Sequence, residues 1–307
     1  MVIDPSHNIL SRIGNTSMLP LHTVVPGNGT RILVKLEDEN PTGSMKDRIA
    51  LTMIEAAEAD RRLPAGGHVV EYTGGSLGVS LALVCAVKRH PLHIVTSDAF
   101  AEEKLLHMES LGGELEIIVS DAGWMTEKLT RDMIAAAGRY SAATGAFWVD
   151  QMQNKDQVAA YHAMAAEIIE QTGGRVDGFV QSVGTAASIV GIGEALRKHD
   201  PEVTIVAVEP AESAVLSGGP TGAHGIDGVG AGYVVPLWYD GAAEHIEGIS
   251  TEDAAAMAAR LARQEGLFAG TSTGANVIAA LRLAEWLEPG STIVTVMCDT
   301  GMKYLSK

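Results

Sequence analysis

Short apolar runs alternate with helical patterns along nearly the whole 307-residue chain, and this alternation restricts the fold more than any other feature. β-Branched runs at residues 31–36, 92–96 and 292–297 predict strands. Helical spacing of apolar residues, as in 49–63 and 251–265, predicts the segments between strands. Strands that are apolar on both faces belong in parallel sheets covered by helices. The sequence therefore predicts an α/β fold, with two lobes that are each centred on a sheet.

Composition argues against several classes of partner. The formal net charge is -16, so a nucleic-acid backbone is not an expected partner. No apolar run approaches the ~20 residues that span a bilayer, and the N-terminus lacks the basic and apolar segments of a secretory signal. We therefore expect a cytoplasmic protein without membrane contact, in which Cys85 and Cys298 are reduced. The ten histidines lack ligand spacing, so no metal site is expected.

Residues 40–48 read NPTGSMKDR and lie between a predicted strand and a predicted helix. Pro41 and Gly43 end the strand, and Ser44 can accept hydrogen bonds from the first N–H groups of the helix. Lys46 then lies near the helix N-terminus, where the positive end of the helix dipole disfavours the charged amine. A partly neutral lysine suits Schiff-base chemistry, although the same pattern also fits a solvated lysine after an ordinary strand–turn–helix.

Three glycine-rich loops stand where predicted strands meet predicted helices, which is the edge of a parallel sheet at which ligands bind. They read TGGSLG at residues 73–78, GTAAS at 184–188 and GTSTGA at 270–275. Backbone N–H groups that open a helix favour an anion, and the hydroxyls of Thr185 and Ser188 add donors for a phosphate. Three adjacent hydroxyl side chains in the third loop exceed what one helix cap requires. Each loop alone fits an ordinary turn or cap about equally well.

Together and in this order, the motifs resemble those of the fold-type II pyridoxal-phosphate enzymes, and among them the family of cysteine synthases (O-acetylserine sulfhydrylases) and cystathionine β-synthases. The resemblance runs from IGNTSML at residues 13–19 to DTGMKYL at 299–305, and GVGAG at 228–232 is similar to the family's Gly-Ile-Gly-Ala-Gly loop. It implies a fold like that of the tryptophan synthase β-subunit. Residues 35–145 would form an N-terminal lobe with the substrate loop, and residues 1–34 with 146–307 would form a C-terminal lobe with the phosphate loop.

The resemblance also implies roles for individual residues. Lys46 would carry pyridoxal 5′-phosphate and later remove the substrate α-proton. Ser272 would face the pyridine nitrogen, where a neutral hydroxyl suits β-elimination better than transamination. The other residues implied in cofactor binding are Ser76, Gly184, Thr185, Ala186, Ala187 and Ser188. Those implied in substrate binding are Thr73, Gly74, Gly75, Ser76, Leu77, Gln151 and Gly228.

The substrate loop departs from the family's usual Thr-Ser/Asn-Gly-Asn-Thr-Gly. Ser76 stands where an asparagine normally meets the 3′-oxygen of the cofactor. Gly74 and Leu77 replace polar side chains close to the substrate carboxylate. These changes leave the cofactor assignment unaffected and put the substrate in question.

Two further departures lie outside the substrate loop. Ala186 and Ala187 occupy the positions of two glycines in the phosphate loop, which keeps the backbone donors and puts the dihedral angles of the loop in question. After Gln151, the usual Asn-Pro-x-Asn becomes NKDQ at residues 154–157.

The function that the resemblance implies is β-replacement on an activated L-serine such as O-acetylserine, forming L-cysteine or a related β-substituted alanine through an aminoacrylate. Synthesis of cystathionine, cyanoalanine or diaminopropionate stays open, as does elimination of the serine or threonine dehydratase type. Ala231 and Gly232 stand where cystathionine β-synthases typically carry Tyr-Asp, which favours the acetylserine side. A catalytically silent binding protein is the remaining alternative, and Lys46 and Ser272 argue against it. The expected partners are an amino-acid substrate, a small nucleophile and a second copy of the chain in a homodimer.

Overall fold

The computed structural model describes residues 8–25, 27–121, 123 and 126–305. In chain order the strands are β1 (Met18–Pro20), β2 (Arg31–Leu36), β3 (Val69–Tyr72), β4 (Leu92–Thr96), β5 (Glu114–Ile117), β6 (Phe147–Trp148), β7 (Gly178–Ser182), β8 (Thr204–Pro210), β9 (His245–Ile249) and β10 (Thr292–Met297). The helices are α1 (Lys46–Ala59), α2 (Ser76–Lys88), α3 (Glu102–Ser110), α4 (Glu127–Thr144), α5 (Gln157–Gln171), α6 (Ala187–His199), α7 (Thr251–Gln264) and α8 (Thr271–Trp286). Short 3-10 helices span Ile9–Arg12, Glu37–Glu39, Ala211–Ser213 and Gly301–Tyr304.

The chain divides into two compact units. The first comprises Asn40–Gln157 with the described parts of Met1–Ile13 and Lys303–Lys307, and the second comprises Gly14–Glu39 and Val158–Met302. The predicted lobe boundaries, at residues 34–35 and 145–146, lie five and twelve residues before those of the structure, and the described residues of 1–13 and 303–307 belong to the first unit and not, as predicted, to the C-terminal lobe. The differences have a structural cause, because all of β2 pairs with β10 in the second unit and β6 pairs with β3 in the first.

The first unit is built on a four-stranded sheet in the order β5-β4-β3-β6, and every neighbouring pair is parallel. The central strands β3 and β4 are buried along their whole length, as expected for strands covered on both faces. One side of the sheet packs on α4, whose Leu129, Met133 and Ala137 contact Val70 and Val95 in a shared apolar cluster. This packing fixes the carboxyl end of β3, from which the first glycine loop emerges.

The second unit is built on a six-stranded sheet in the order β1-β2-β10-β7-β8-β9. Only the edge pair β1–β2 is antiparallel, and the other neighbours are parallel. Its core joins the sheet to α7 and α8 through residues such as Ile293, Leu261 and Leu283. The predicted α/β fold, with mainly parallel sheets covered by helices, is confirmed. No helix in the ranges given above is both long and apolar enough to cross a membrane.

Helices α7 and α8 approach each other closely at Gly274. A Cβ atom added to this glycine would lie 2.1 Å from the carbonyl oxygen of Ala254 and 2.9 Å from the backbone nitrogen of Ala258. Both neighbours are backbone atoms of α7, so they cannot move aside as a side chain could. The glycine therefore lets the first turn of α8 rest directly on α7.

Candidate active site

Lys46 is the first residue of α1, and a tight turn delivers the chain to it. Gly43 has a φ of +72°, in the left-handed region, and its N–H donates to the carbonyl of Asn40 over 2.7 Å. The backbone N–H of Lys46 donates to Ser44 Oγ over 3.2 Å, as the sequence predicts. Lys46 is half-buried, whereas Met45 and Asp47 on either side of it are buried. The lysine is therefore held at a helix start by a fixed backbone.

Asp47 joins α1 to α2 through a buried hydrogen-bond network. Its carboxylate accepts from the backbone N–H of Thr42 at 2.8 Å, from the Thr42 hydroxyl at 2.5 Å and from the Ser80 hydroxyl at 2.6 Å. Burial raises the pKa of Asp47, and the hydrogen bonds from Ser80 and Thr42 act in the opposite direction. The network connects the start of the lysine-bearing helix to the helix that follows the substrate loop.

The substrate loop leads from β3 into α2. The Thr73 hydroxyl accepts from the N–H of Gly75 over 3.2 Å, and α2 begins at Ser76. The ammonium of Lys303 donates to Ser76 Oγ over 3.4 Å, which places a cation beside this helix start. Leu77 is only 2% exposed and contributes apolar surface rather than a polar contact. No role for Lys303 is predicted from the sequence, because nothing in the spacing links it to position 76.

The ring of Phe100 occupies the space next to Gly74. A Cβ atom added at Gly74 would lie 1.8 Å from ring atom Cδ2, far inside any possible contact distance. The serine or asparagine that the family usually has at this position is therefore incompatible with the ring. The absence of a side chain at position 74 and the placement of the Phe100 ring are thus coupled.

Gln151 also belongs to the first unit, three residues after β6 ends. It is half-buried, and its backbone N–H donates to the fully buried Glu71 over 3.3 Å. The first unit therefore carries Lys46, the substrate loop and Gln151. The predicted cofactor residues 184–188 and 272 lie in the second unit, and so does Gly228, which was predicted to bind substrate.

The predicted phosphate loop connects β7 to α6. Ala186 precedes the first helical residue and has a φ of +68° and a ψ of -9°. It therefore keeps a left-handed conformation that glycine would adopt at lower cost. The N–H of Ala187 donates to Thr185 Oγ1 over 3.4 Å, and Ser188 follows in the first turn of α6. Backbone N–H groups and hydroxyls at a helix start suit a phosphate.

The matched variants Ala186→Gly and Ala187→Gly should differ in stability although each removes a buried methyl group. The two alanines are 1% and 0% exposed, so the loss of apolar burial is similar at both. Only Ala186→Gly relieves left-handed strain, which is about 1–2 kcal/mol for an L-residue. We therefore expect Ala186→Gly to have a free energy of unfolding about 1–2 kcal/mol above that of Ala187→Gly, measured by urea denaturation. Equal values would show that the loop of the free protein is not strained.

The glycine-rich segment at 228–232 packs against the phosphate loop. A Cβ atom at Gly184 would lie 2.7 Å from the carbonyl oxygen of Gly228, so only glycine permits this approach. The N–H of Gly230 donates to the carbonyl of Val183 over 3.0 Å. Gly228 and Gly230 have φ values of +76° and +64°. Backbone contacts thus hold the two loops together.

Ser272 is the second residue of α8, and its two neighbours are used by the protein itself. The hydroxyl of Thr271 accepts from the N–H of Asp227, and that of Thr273 accepts from the N–H of Cys298, each over 3.2 Å. Ser272 is 4% exposed, and no hydrogen-bond partner for its hydroxyl is found within the described part of the chain. The excess of hydroxyls noted in the sequence is thereby explained, because two are structural and one is available to a ligand.

Asn276, one turn further along α8, fixes the helix to the sheet. Its side-chain oxygen accepts from the N–H of Ser182 at 2.7 Å, and its side-chain nitrogen donates to the carbonyl of Val296 at 3.0 Å. The end of β7, the start of the phosphate loop and the helix that carries Ser272 are thus connected. Gly184 packed against Gly228, the N–H groups at the start of α6 and the Ser272 hydroxyl together fit a phosphate-bearing aromatic cofactor. Among residues 8–25, 27–121, 123 and 126–305, no group of three or more His, Cys, Asp or Glu side chains could hold a metal ion.

Comparison with known proteins gives matches over nearly the whole chain. The family model described as pyridoxal-phosphate dependent enzyme matches residues 9–299. A cysteine synthase of Staphylococcus aureus is 35% identical over 308 residues, which cover 100% of this chain and 97% of that protein. The crystal structure of O-acetyl serine sulfhydrylase isoform 3 from Entamoeba histolytica is similar with a TM-score of 0.91 and 38% identity, covering 100% of this chain and 93% of that one. The crystal structure of O-ureido-L-serine synthase has a TM-score of 0.92 and 33% identity, covering 99% of this chain and 95% of that one.

Proposed function

The chain belongs to the family of pyridoxal-phosphate-dependent enzymes, and from this membership we propose that it catalyses β-replacement on an activated L-serine such as O-acetyl-L-serine. The product is L-cysteine or a related β-substituted alanine. The observation that carries the proposal is the full-length similarity to cysteine synthase and O-acetyl serine sulfhydrylase, in a chain that keeps a lysine at the start of α1 and a serine at the start of α8.

The proposal assigns four side chains to the cofactor. Thr185, Ser188 and the N–H groups at the start of α6 hold its phosphate, and the Ser272 hydroxyl faces its ring nitrogen. Lys46 binds it covalently. When bound, the cofactor withdraws electrons from the α-carbon of the substrate, which makes the α-proton removable. A neutral serine at the ring nitrogen limits this withdrawal, which favours β-elimination over transamination.

Lys46 also handles the proton in the proposed reaction. Its amine takes the α-proton from the substrate as a general base, acetate leaves from the β-carbon, and a nucleophile adds to the same carbon. The proton then returns from Lys46 to the α-carbon. The turn at Gly43 and the Asp47 network hold the backbone of Lys46 while its side chain moves between these tasks.

The substrate carboxylate is assigned to the loop at 73–78 and to Gln151. Backbone N–H groups at the start of α2 and the Thr73 hydroxyl supply donors there, and Lys303 beside Ser76 adds positive charge. These donors survive the loss of polar side chains at positions 74 and 77. With Phe100 against Gly74, this part of the loop is more apolar than the family pattern. We therefore expect the preferred substrate or nucleophile to differ from that of ordinary cysteine synthases.

A different β-replacement is the second candidate. The similar O-ureido-L-serine synthase, at 33% identity, is named for a β-substituted alanine other than L-cysteine. Because the substrate loop departs from the family pattern at positions 74, 76 and 77, we keep this candidate beside L-cysteine synthesis. As part of the same proposal we place the enzyme in the cytoplasm as a homodimer. The buried cysteines Cys85 and Cys298 form no disulfide in the described part of the chain, which agrees with a reducing compartment.

A substrate panel tests the proposal. The enzyme loaded with pyridoxal 5′-phosphate is given O-acetyl-L-serine with sulfide, cyanide, L-homocysteine or hydroxyurea in turn, and the products are identified by mass spectrometry. We expect acetate release and a β-substituted alanine with at least one nucleophile. Production of pyruvate or 2-oxobutanoate from L-serine or L-threonine, with O-acetyl-L-serine untouched, would refute β-replacement in favour of a dehydratase.

A further inference from the structure

Both polar groups of the Gln151 backbone are held by side chains that are completely buried. Its N–H donates to Glu71 Oε2 over 3.3 Å, and its carbonyl accepts from Gln157 Nε2 over 2.5 Å. Glu71 and Gln157 are both 0% exposed. They come from different elements, since Glu71 lies in β3 and Gln157 begins α5. The residue assigned to the substrate carboxylate is therefore fixed from two directions.

Glu71 is an unusual residue at its position. Long charged side chains are rarely fully buried. An apolar residue at this position would be more stabilising if the side chain only had to fill space in the core around β3. Burial raises the pKa of Glu71 well above its ordinary value, and the nearby negative charge of Asp150 acts in the same direction. Its two oxygens nevertheless face backbone donors, the N–H of Tyr72 at 3.0 Å and that of Gln151. The carboxyl group thus accepts hydrogen bonds from the backbone, although burying it is energetically unfavourable.

Gln157 explains a departure noted in the sequence. Its side-chain nitrogen donates to the carbonyl of Asn154 over 2.6 Å as well as to that of Gln151. Asn154 in turn donates from its side chain to the carbonyl of Val149 over 3.0 Å. The glutamine at the last position of NKDQ therefore closes the turn after β6 on itself.

The turn needs this support because its first residue is strained. Asp150 has a φ of +46°, in the left-handed region that non-glycine residues seldom adopt. Its carbonyl accepts from the N–H groups of Gln153 and Asn154, each over 2.9 Å. A change in the dihedral angles of Asp150 would swing the Gln151 side chain, so contacts that hold the next peptide unit also set the direction of that side chain.

We propose that Glu71 and Gln157 are positioning residues that fix Gln151 for the substrate carboxylate. The inference rests on the proposed function, because it takes Gln151 as a ligand of that carboxylate. Neither positioning residue touches the substrate in this proposal. Each acts through the backbone of Gln151.

The test combines a double-mutant cycle with a binding measurement. L-Alanine has the amino and carboxylate groups of the substrate but no leaving group, so its dissociation constant is measured from the change in the visible absorption of the bound cofactor. The same variants are assayed for KM and kcat with O-acetyl-L-serine and sulfide. The set contains Glu71→Gln, Gln151→Ala and the double variant. Glu37→Gln is the matched control, since Glu37 is also 0% exposed and accepts the Thr16 hydroxyl at 2.7 Å in the other unit.

We expect Glu71→Gln to raise the dissociation constant of L-alanine and the KM of O-acetyl-L-serine about tenfold, the effect of about one hydrogen bond, with kcat within about twofold. The double variant should bind L-alanine no more weakly than Gln151→Ala, and Glu37→Gln should resemble the wild type. Additive effects in the double variant, or a lowered melting temperature with unchanged KM, would overturn the proposal.

A second variant keeps the proposal testable if Glu71→Gln does not fold. Gln157→Glu keeps the size of the side chain and removes the donor to the Gln151 carbonyl, so it should also weaken L-alanine binding only when Gln151 is present. An effect that persists in Gln151→Ala would count against positioning. Absence of turnover in a wild-type enzyme that still binds L-alanine would refute the proposed β-replacement alone, because the binding cycle does not depend on the reaction.

Discussion

Lys46→Ala is expected to lower kcat/KM for β-replacement by at least about a thousandfold, because a positioned general base alone contributes 10²- to 10⁴-fold and covalent attachment is lost as well. The residue opens α1, and its backbone is fixed by the turn at Gly43 and by Ser44. A free amine in solution cannot substitute, because it lacks this placement. The effect should therefore exceed the roughly tenfold effect expected for Glu71→Gln in the same unit.

Borohydride reduction followed by peptide mass spectrometry provides a readout that does not depend on turnover. In the wild type, the cofactor should be found on the peptide that contains Lys46, and in Lys46→Ala on no peptide. Lys88→Ala is the control, since Lys88 lies on α2 of the same unit and forms ion pairs with Glu58 at 2.8 Å and Glu55 at 3.2 Å. Such partly exposed pairs contribute little. A label on a lysine other than Lys46 would show that the assignment is wrong.

Gly274→Ala is expected to destabilise the second unit by about 3 kcal/mol, at the upper end of what overpacking costs. The added methyl group would lie 2.1 Å from the carbonyl oxygen of Ala254. Because that atom belongs to the backbone of α7, the two helices must separate. Ser272, two residues earlier on α8, moves with the helix, so binding of the cofactor should also weaken.

Thermal denaturation measures this effect, and about 3 kcal/mol corresponds to a melting temperature lower by about 6–12 °C in a unit of this size. Gly27→Ala is the matched control in the same unit, because a Cβ atom there meets nothing within 4 Å. It should leave the melting temperature nearly unchanged. A similar melting temperature for both variants would mean that α8 can shift away from α7 at little cost.

The regular elements of the fold could be read from the sequence where they carry a strong local pattern. The bounds of β4 and β10 match the β-branched runs at 92–96 and 292–297, because both are central or fully buried strands. β9 was not predicted, since its sequence HIEGI contains polar residues and a glycine and lies at the edge of the sheet. α5 was also not predicted, although Tyr161, Met164 and Ile168 have helical spacing that would have revealed it.

The site residues also fall into two groups, those with a local sequence pattern and those without one. Lys46 and the three glycine loops are visible in sequence because turns and helix starts need particular residue types at fixed spacing. The contacts of Phe100 with Gly74 and of Glu71 with Gln151 join positions 26 and 80 residues apart. No local pattern encodes such pairs, and only the tertiary fold brings them together. The left-handed φ of Ala186 belongs to the same class, since alanine gives no sign of it.

The contact between Gly74 and Phe100 also fixes an order in which this loop can evolve. A lineage that gains a side chain at position 74 while Phe100 is still present must pass through a variant in which that side chain and the Phe100 ring overlap. A lineage that first exchanges Phe100 for a smaller residue passes through a loosely filled intermediate, which is better tolerated. Directed evolution towards other substrates should therefore diversify position 100 before position 74. Libraries that vary position 74 alone should return mostly glycine.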